Sequence, residues 1–502
     1  MRLAADLRAA VLQAAMQGDL CERTDKDAHD LLFQLKYEKK LSSSSKDKRL
    51  FPEETKPDKK YYYVIPSNWV WTKIGSILSK LTDGTHKTPK YVSNGLKNAI
   101  KFVSVKDMSG GHLDLTNTKY ISQEEHNELY KRCDPKLNDI LLSKVGTTGV
   151  PAIVNTDEQF SLFVSVALMR FDTTKILPRF LYWLIYSPIV QQQAVDNTRG
   201  VGNQNWVLDK IANTWIPIPP VEEQALIVGR IEELMPVLNE YEEMENRLIT
   251  LKEAFPENLR DAILQAAVLG QLTEQDDGED SAYFVDEILT TKKQMLAKKA
   301  ISRDNSCKTQ PIDESDIDLP EIPSNWTWAR LGNLCSKIGA GSTPAGGSKV
   351  YVKSGIKFLR EQNIHNYGLE MDGLVYITDE INSSMKGSQV KAKDILVNIT
   401  GASIGRNALV PDDFDVANVN QHVLIVRLID DRLRHYIHLC LQSPHIFNQM
   451  MDKQMGDKPG LSATKVANFL IPIPPLAEQQ RIVERLYKLL PLCDTLADEN
   501  NY

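Results

Sequence analysis

Apolar residues recur at alternating three- and four-residue spacing from Ile227 onward, through Ile231, Leu234, Leu238, Tyr241, Met244, Leu248, Leu251 and Phe255. That spacing lines one face of a helix and makes a seam for a second helix. A shorter series runs through Ile482, Leu486, Leu489, Leu492 and Leu496. Both follow the same run, IPIPP, at Ile216–Pro220 and again at Ile471–Pro475. Pro219 and Pro220 stop a strand and suit the first turn of a helix. Pro236 and Pro491 fall inside the two series and predict kinks. Pro256 predicts the end of the first helix. A second helical pattern also occurs twice: Leu7–Gly18 reads LRAAVLQAAMQG and Leu259–Gly270 reads LRDAILQAAVLG. Each has a helical apolar face and stops at a glycine, the usual C-terminal cap.

Between the helical stretches the period shortens. Ile65–Gly75 reads IPSNWVWTKIG and Ile322–Gly332 reads IPSNWTWARLG. The pairs Trp69/Trp71 and Trp326/Trp328 alternate as on a strand. They read as core anchors and not as stacking platforms for bases. Short β-branched runs broken by Gly, Asn and Asp follow in matching order, among them Asp139-Ile140-Leu141 and Asp394-Ile395-Leu396. Helices are expected at 178–186 and 432–442. The fold class is therefore α/β (α+β), with two similar globular domains separated by long antiparallel helices. The expected division is 1–60, N-terminal helix and linker; 61–215, first domain; 216–320, central helical spacer and linker; 321–470, second domain; 471–502, C-terminal spacer helix.

The copies are circularly arranged. The middle of the chain holds a complete helical pair, Val221–Phe255 then Glu257–Gly270. The C-terminus holds only the first member, and the N-terminus only the second. An apolar seam must be buried, so the two ends are expected to pair with each other, giving a pseudo-two-fold particle. A helix over Val221–Phe255 would reach roughly 50 Å. That is between one and two turns of B-DNA, at about 34–36 Å per turn.

The 502 residues allow two or three domains. The net charge of −7 argues against a uniformly basic nucleic-acid binder but allows a local basic face. Six scattered cysteines without a CxxC pair suggest reduced thiols, neither a zinc knuckle nor a disulfide framework. No stretch has the length of a signal peptide or a membrane span, so a cytoplasmic protein is expected. A phosphate loop and a dinucleotide fingerprint are both missing. His435, His438 and Cys440 have ligand-like spacing, but the matching positions Arg179, Tyr182 and Leu184 do not, so no metal is expected. Nothing in the pattern points to catalysis.

Reading a duplex needs Arg, Lys, Asn, Gln, Ser and Thr on loops that can enter a groove. Loops at matching places in the two halves carry such residues. In the first they are Thr85, His86, Lys87, Thr88 and Lys90; Ser143, Lys144, Thr147 and Thr148; and Arg199, Asn203, Gln204 and Asn205. In the second they are Ser342, Thr343 and Lys349; Arg360, Gln362 and Asn363; Thr400, Ser403 and Arg406; and Lys458 and Ser462.

The layout resembles the specificity (S) subunit of type I restriction–modification systems. The likeness rests on IPSNWVW and IPSNWTW, on IPIPPVEEQALIVGRI and IPIPPLAEQQRIVERL, and on the Gly-Thr-Pro loop, the Asp-Ile-Leu turn and Asn420-Gln421-His422. The first half departs from it, with Ser165-Val166 where the second has Asn420-Gln421. The resemblance implies two target-recognition domains, each reading half of a split sequence in double-stranded DNA. It also implies spacer helices that set the gap and dock two adenine-specific methyltransferase subunits. Glu223, Gln224, Arg230, Glu478, Gln479 and Arg485 are the candidate docking residues. Restriction subunits complete the assembly, and S-adenosylmethionine, ATP and Mg are expected on the partners, none on this chain. The alternative is a non-catalytic protein-interaction scaffold with duplicated domains.

Overall fold

The computed structural model describes residues 3–42, 47–54, 57, 59–198, 205–276, 278–312, 319–452 and 460–499. The chain forms two compact units, Met1–Leu248 and Ile249–Tyr502. The boundary falls inside one continuous helix, Val221–Val268, of 48 residues.

That helix overturns the expected break at Pro256. A proline inside a helix costs about 3 kcal/mol. A turn back would need several residues of turn chemistry, and Ala254–Asn258 supplies the proline and Asn258 with no glycine between them. The helix therefore continues, and Leu264, Ala267 and Val268 are buried beyond it.

Within its own unit, each terminal helix packs against the rest of that unit. In the first unit, helix Leu3–Gln17 buries Leu12, Ala15 and Met16 in a cluster with Ile227, Ile231 and Met235 of the long helix. Arg8 donates to Asn239 (2.7 Å) and Glu242 (2.9 Å), and the Leu3 N–H donates to Glu245 (2.8 Å). In the second unit, helix Leu476–Glu499 places Ile482, Leu486 and Leu490 in a cluster with Leu264, Ala267 and Val268. Arg260 pairs with Asp494 (3.2 Å). Each terminal helix thus shares its unit's core with one end of the long helix, while Leu3, Leu7 and Leu492 of the terminal helices are exposed. Further along that helix members of the seam are exposed: Tyr241, Met244 and Leu248 in the first unit and Leu251 and Phe255 in the second.

Each unit is a mixed sheet-and-helix body. In the first, strand Val70–Lys73 pairs antiparallel with Trp215–Ile218, so IPIPP supplies a closing strand, with Pro217 opposite Trp71. A two-stranded ribbon tolerates the missing N–H. A four-stranded antiparallel sheet follows, in the order Leu78–Asp83, Val166–Phe171, Ile140–Ser143, Pro151–Ile153. Its side chains alternate between faces, as the two-residue period requires. Ile140, Leu142, Ala167 and Met169 share a core with Phe180, Leu184 and Val190 of helices Pro178–Tyr186 and Pro188–Asn197. Leu141, Val166 and Leu168 share another with Val103, Phe160 and Leu162 of a three-stranded sheet. The second unit repeats the plan: Ile395, Val397, Leu424 and Val426 meet helices, while Leu396, Val423 and Ile425 meet Leu359, Ala417 and Val419. Its second sheet has four strands, and a hairpin Ile364–His365/Gly368–Leu369 is added. Among the described residues no helix is long and apolar enough to cross a membrane.

A buried carboxylate ties the ends of each domain together. Glu223 is 1% exposed. It accepts from the Trp69 indole (2.6 Å), the Asn68 amide (2.7 Å), and the Thr24 N–H (2.8 Å) and hydroxyl (3.0 Å). Burial pushes its carboxyl upward, but these donors outweigh burial and hold it below the usual value. Gln224 beside it accepts from the Leu177 N–H (2.8 Å) and donates to the Lys175 carbonyl (3.1 Å). In the second unit Glu478, also 1% exposed, accepts from Arg481 (2.7 Å), Gln275 (3.3 Å) and the Thr273 hydroxyl. The Trp326 indole there donates to Gln275 (2.9 Å). Gln479 donates to the Pro474 carbonyl (2.8 Å). Glycine closes each arrangement: a Cβ on Gly18 (φ +82°) would lie 2.5 Å from Pro66, and one on Gly270 (φ +73°) 2.4 Å from Pro323.

Two stability predictions follow from this geometry. Gly18→Ala should destabilise by about 1–3 kcal/mol through the left-handed backbone alone, more with the Pro66 clash, read by urea denaturation. A depressed carboxyl stabilises above its unfolded value, near 4.3, and that contribution fades as pH falls through the folded value. The stability lost between about pH 5 and 3 should therefore be smaller in Glu223→Gln than in the parent chain.

Candidate nucleic-acid interface

Strand register decides which candidate loops meet. In the first unit Asp83 lies opposite Ala167, and Ser143 lies opposite Val166. The strands ending at Asp83 and Ser143 both run antiparallel to Val166–Phe171, one on each side. The loops that follow them therefore leave the sheet at the same end. In the second unit Ala340 lies opposite Leu424 and Asn398 opposite Val423, so the loops after them share an end in the same way. An antiparallel central strand thus brings two of the candidate loops to one end of the sheet in each unit.

The chemistry at the two edges differs. In the first unit Asp83 is buried and carries an ion pair with the buried Lys144 (3.2 Å), another with Arg132, and a contact to His86 (3.3 Å). Lys144 is therefore committed to the fold, not presented to solvent. Ser143 is equally internal; its hydroxyl accepts from the Val150 N–H (2.8 Å). The exposed members of this edge are His86, Lys87, Thr88, Lys90 and Thr147. Thr85 is half-buried and bonded to Lys87 (3.2 Å), Thr148 is half-buried, and Asn205 bridges to Val145. Arg199, Asn203, Gln204 and Lys458 lie outside the described residues.

In the second unit Gln362, Thr400, Ser403 and Arg406 line one open concavity of about 740 Å³, together with Glu361 and His422. The His422 ring bonds the Thr400 hydroxyl (2.7 Å). Glu361 Oε2 accepts from the Asn420 amide (2.7 Å). Burial raises the Glu361 carboxyl, but that hydrogen bond and the residue's own N–H, with His422 and Arg360 nearby, hold it below the usual value. Ser342 and Lys349 are exposed, and Thr343 bonds Gln421. Asn363 and Ser462 serve the backbone: Asn363 caps the Arg360 N–H (3.0 Å), and Ser462 caps a helix at Lys465 (3.2 Å). Arg360 spans to the Gly373 carbonyl (3.0 Å).

Glu361 sits inside a loop that the sequence marks, yet a search for donors to phosphate passes over an acid. His422 lies within the Asn420-Gln421-His422 run, whose role the residue types alone do not reveal. His435 and His438 do not converge on a common ligand position: His435 faces the Tyr487 hydroxyl (2.9 Å) and His438 the Asn407 carbonyl (3.4 Å). The docking set needs correction. Glu223, Gln224, Glu478 and Gln479 are buried and bonded within the chain, so they present nothing to a partner. Arg230, paired with Glu233 (2.6 Å), and Arg485 are exposed.

Lys144→Ala would leave Asp83 buried with one cation fewer, and should cost roughly 3 kcal/mol in denaturant unfolding. Lys87→Ala, at an exposed position, should stay within about 0.5 kcal/mol of the parent.

Residues 66–251 and 323–501 match the family described as Type I restriction modification DNA specificity domain. The chain is similar to the Type I restriction enzyme EcoBI specificity subunit of Escherichia coli, 24% identical over 446 residues that cover 87% of this chain and 82% of that protein. It is also similar to the EcoAI specificity subunit of Escherichia coli, 22% identical over 560 residues covering 98% of this chain and 89% of that protein. Among solved structures, the HsdS subunit from Thermoanaerobacter tengcongensis aligns with 18% identity and a TM-score of 0.44, covering 87% of this chain and 93% of that one. Matched in both units over most of its length, the chain belongs to the type I restriction–modification DNA specificity family.

Proposed function

We propose that this chain supplies sequence recognition to a type I restriction–modification complex, each unit reading one half of a bipartite target in double-stranded DNA. The observation that carries this reading is the doubled edge. In both units two polar loops leave one end of an antiparallel sheet in the same register. A ligand with two separated half-sites uses such a pair; a single small molecule does not. The chain positions DNA through exposed cations such as Lys87 and Lys90 and reads bases through the remaining polar side chains. A net charge of −7 suits a subunit whose affinity for phosphate is shared with partners. Methyltransferase subunits dock on the exposed faces of the helices, where Arg230, Arg485 and the uncovered apolar side chains Met244 and Leu251 lie. Catalysis, with S-adenosylmethionine and any ATP and Mg, belongs to those partners and to the restriction subunits.

The test is binding by the complex reconstituted with methyltransferase subunits, followed by sequencing of methylated positions in cells. A gapped motif with two constant parts is expected. Affinity should fall steeply with salt, and Lys87→Ala should weaken all duplexes alike and lower the salt slope by about one. Equal binding to random duplexes, or affinity indifferent to salt, would favour the protein-interaction scaffold.

A further inference from the structure

The two units carry turns closed by the same pair of backbone hydrogen bonds, the second one residue longer, with different side chains. In the first, the Ser143 N–H bonds the Val150 carbonyl (2.9 Å) and the Gly149 N–H bonds the Ser143 carbonyl (2.9 Å). In the second, the Asn398 N–H bonds the Arg406 carbonyl (2.8 Å) and the Gly405 N–H bonds the Asn398 carbonyl (2.9 Å). Gly146 and Gly149 (φ +81° and +85°) match Gly401 and Gly405 (φ +71° and +86°). Arg406 therefore occupies the place of Val150. A second pair of turns gives a second match. The Ser104 N–H bonds Asp107 (2.6 Å), as the Arg360 N–H bonds Asn363 (3.0 Å), and both turns follow equivalent strands. Glu361 therefore occupies the place of Val105. Where the first unit has two valines, the second has an acceptor and a donor, and both line the one concavity.

The concavity is held stiffly. Asn398 donates to the Glu361 carbonyl (2.9 Å), Asn420 to its carboxylate (2.7 Å), and Thr400 is bonded to His422 (2.7 Å). A carboxylate within it repels phosphate, so a backbone-binding role does not suit the site as a whole. A base pair seen from the major groove offers the matching set: the cytosine amino group donates, and guanine N7 and O6 accept. We infer that Glu361 and Arg406 together read one C·G pair of the half-site faced by the second unit, Glu361 accepting from cytosine and Arg406 donating to guanine. This assignment rests on the DNA reading above and adds the identity of one base pair and the residues that read it.

The test uses the full chain with its methyltransferase partners. The parent motif is first determined by sequencing methylated positions, and Glu361→Gln and Arg406→Val are then compared with it. Gln retains the acceptor for Asn420, and Val is the side chain that the first unit carries at the exposed Arg406 position, so melting temperatures should match the parent. Both variants should relax the same single C·G position. The affinity ratio between duplexes carrying C·G and T·A there should fall by about tenfold or more, with every other position kept. The assignment is overturned if neither variant changes the motif, if they relax different positions, or if Arg406→Val weakens all duplexes equally and lowers the salt slope, which marks a phosphate contact. A parent complex that methylates no defined sequence would instead remove the DNA reading itself.

Discussion

A carboxylate that would be costly to bury alone organises both units. Glu223 lies in the first turn of the long helix, where unpaired N–H groups favour negative charge. Taking an ionised group out of water costs several kcal/mol unless hydrogen bonds replace its hydration. Here the replacements come from distant parts of the chain: Thr24 after the N-terminal helix, and Asn68 and Trp69 before the first strand. One residue thereby fixes the helix start, the opening of the domain and the preceding loop against one another. Glu478 does the same with Thr273, Gln275 and Arg481, and Trp326 reaches it through Gln275. The donors differ while the demand for them does not.

With its ends tied, each domain can vary at the far edge of its sheet. Buried Asp139 and Asp394 add to this firmness, pairing with Arg170 and Arg427 at 2.7 Å each. For Asp394 burial wins over the arginine and raises the carboxyl above its usual value. The pair holds geometry at a cost in desolvation. Upon this frame the first unit closes its loops with Lys144 and Asp83, and the second with Thr400 and His422. The edge keeps its place while its chemistry changes.

The sequence made the framework legible because frameworks leave periodic signals. Alternation marked the strands around Ile140 and Ile395, and helical spacing marked the long helix through Ile227 and Ile231. The continuation past Pro256 was not legible, since a proline followed closely by Asn258 reads as a stop, and the burial of Leu264 and Ala267 that favours continuation is a tertiary effect. The burial of Lys144 is not legible in the sequence, because its partner Asp83 is distant along the chain and adjacent only through the register of Val166–Phe171.

The Glu-Gln pair after IPIPP shows how recurrence within one chain should be weighed. Its repetition suggested a surface common to both halves, yet the structure spends it on internal hydrogen bonds. Duplicated domains repeat what both need in order to fold, and a satisfied buried carboxylate is such a need. Residues that tell two half-sites apart have the opposite signature. They occupy equivalent backbone positions and carry different chemistry, as Glu361 and Arg406 do opposite Val105 and Val150. Such a difference acquires meaning only once the hydrogen-bonded turns have aligned the two backbones, because the intervening loops differ in length and the sequence alone does not establish which residues correspond.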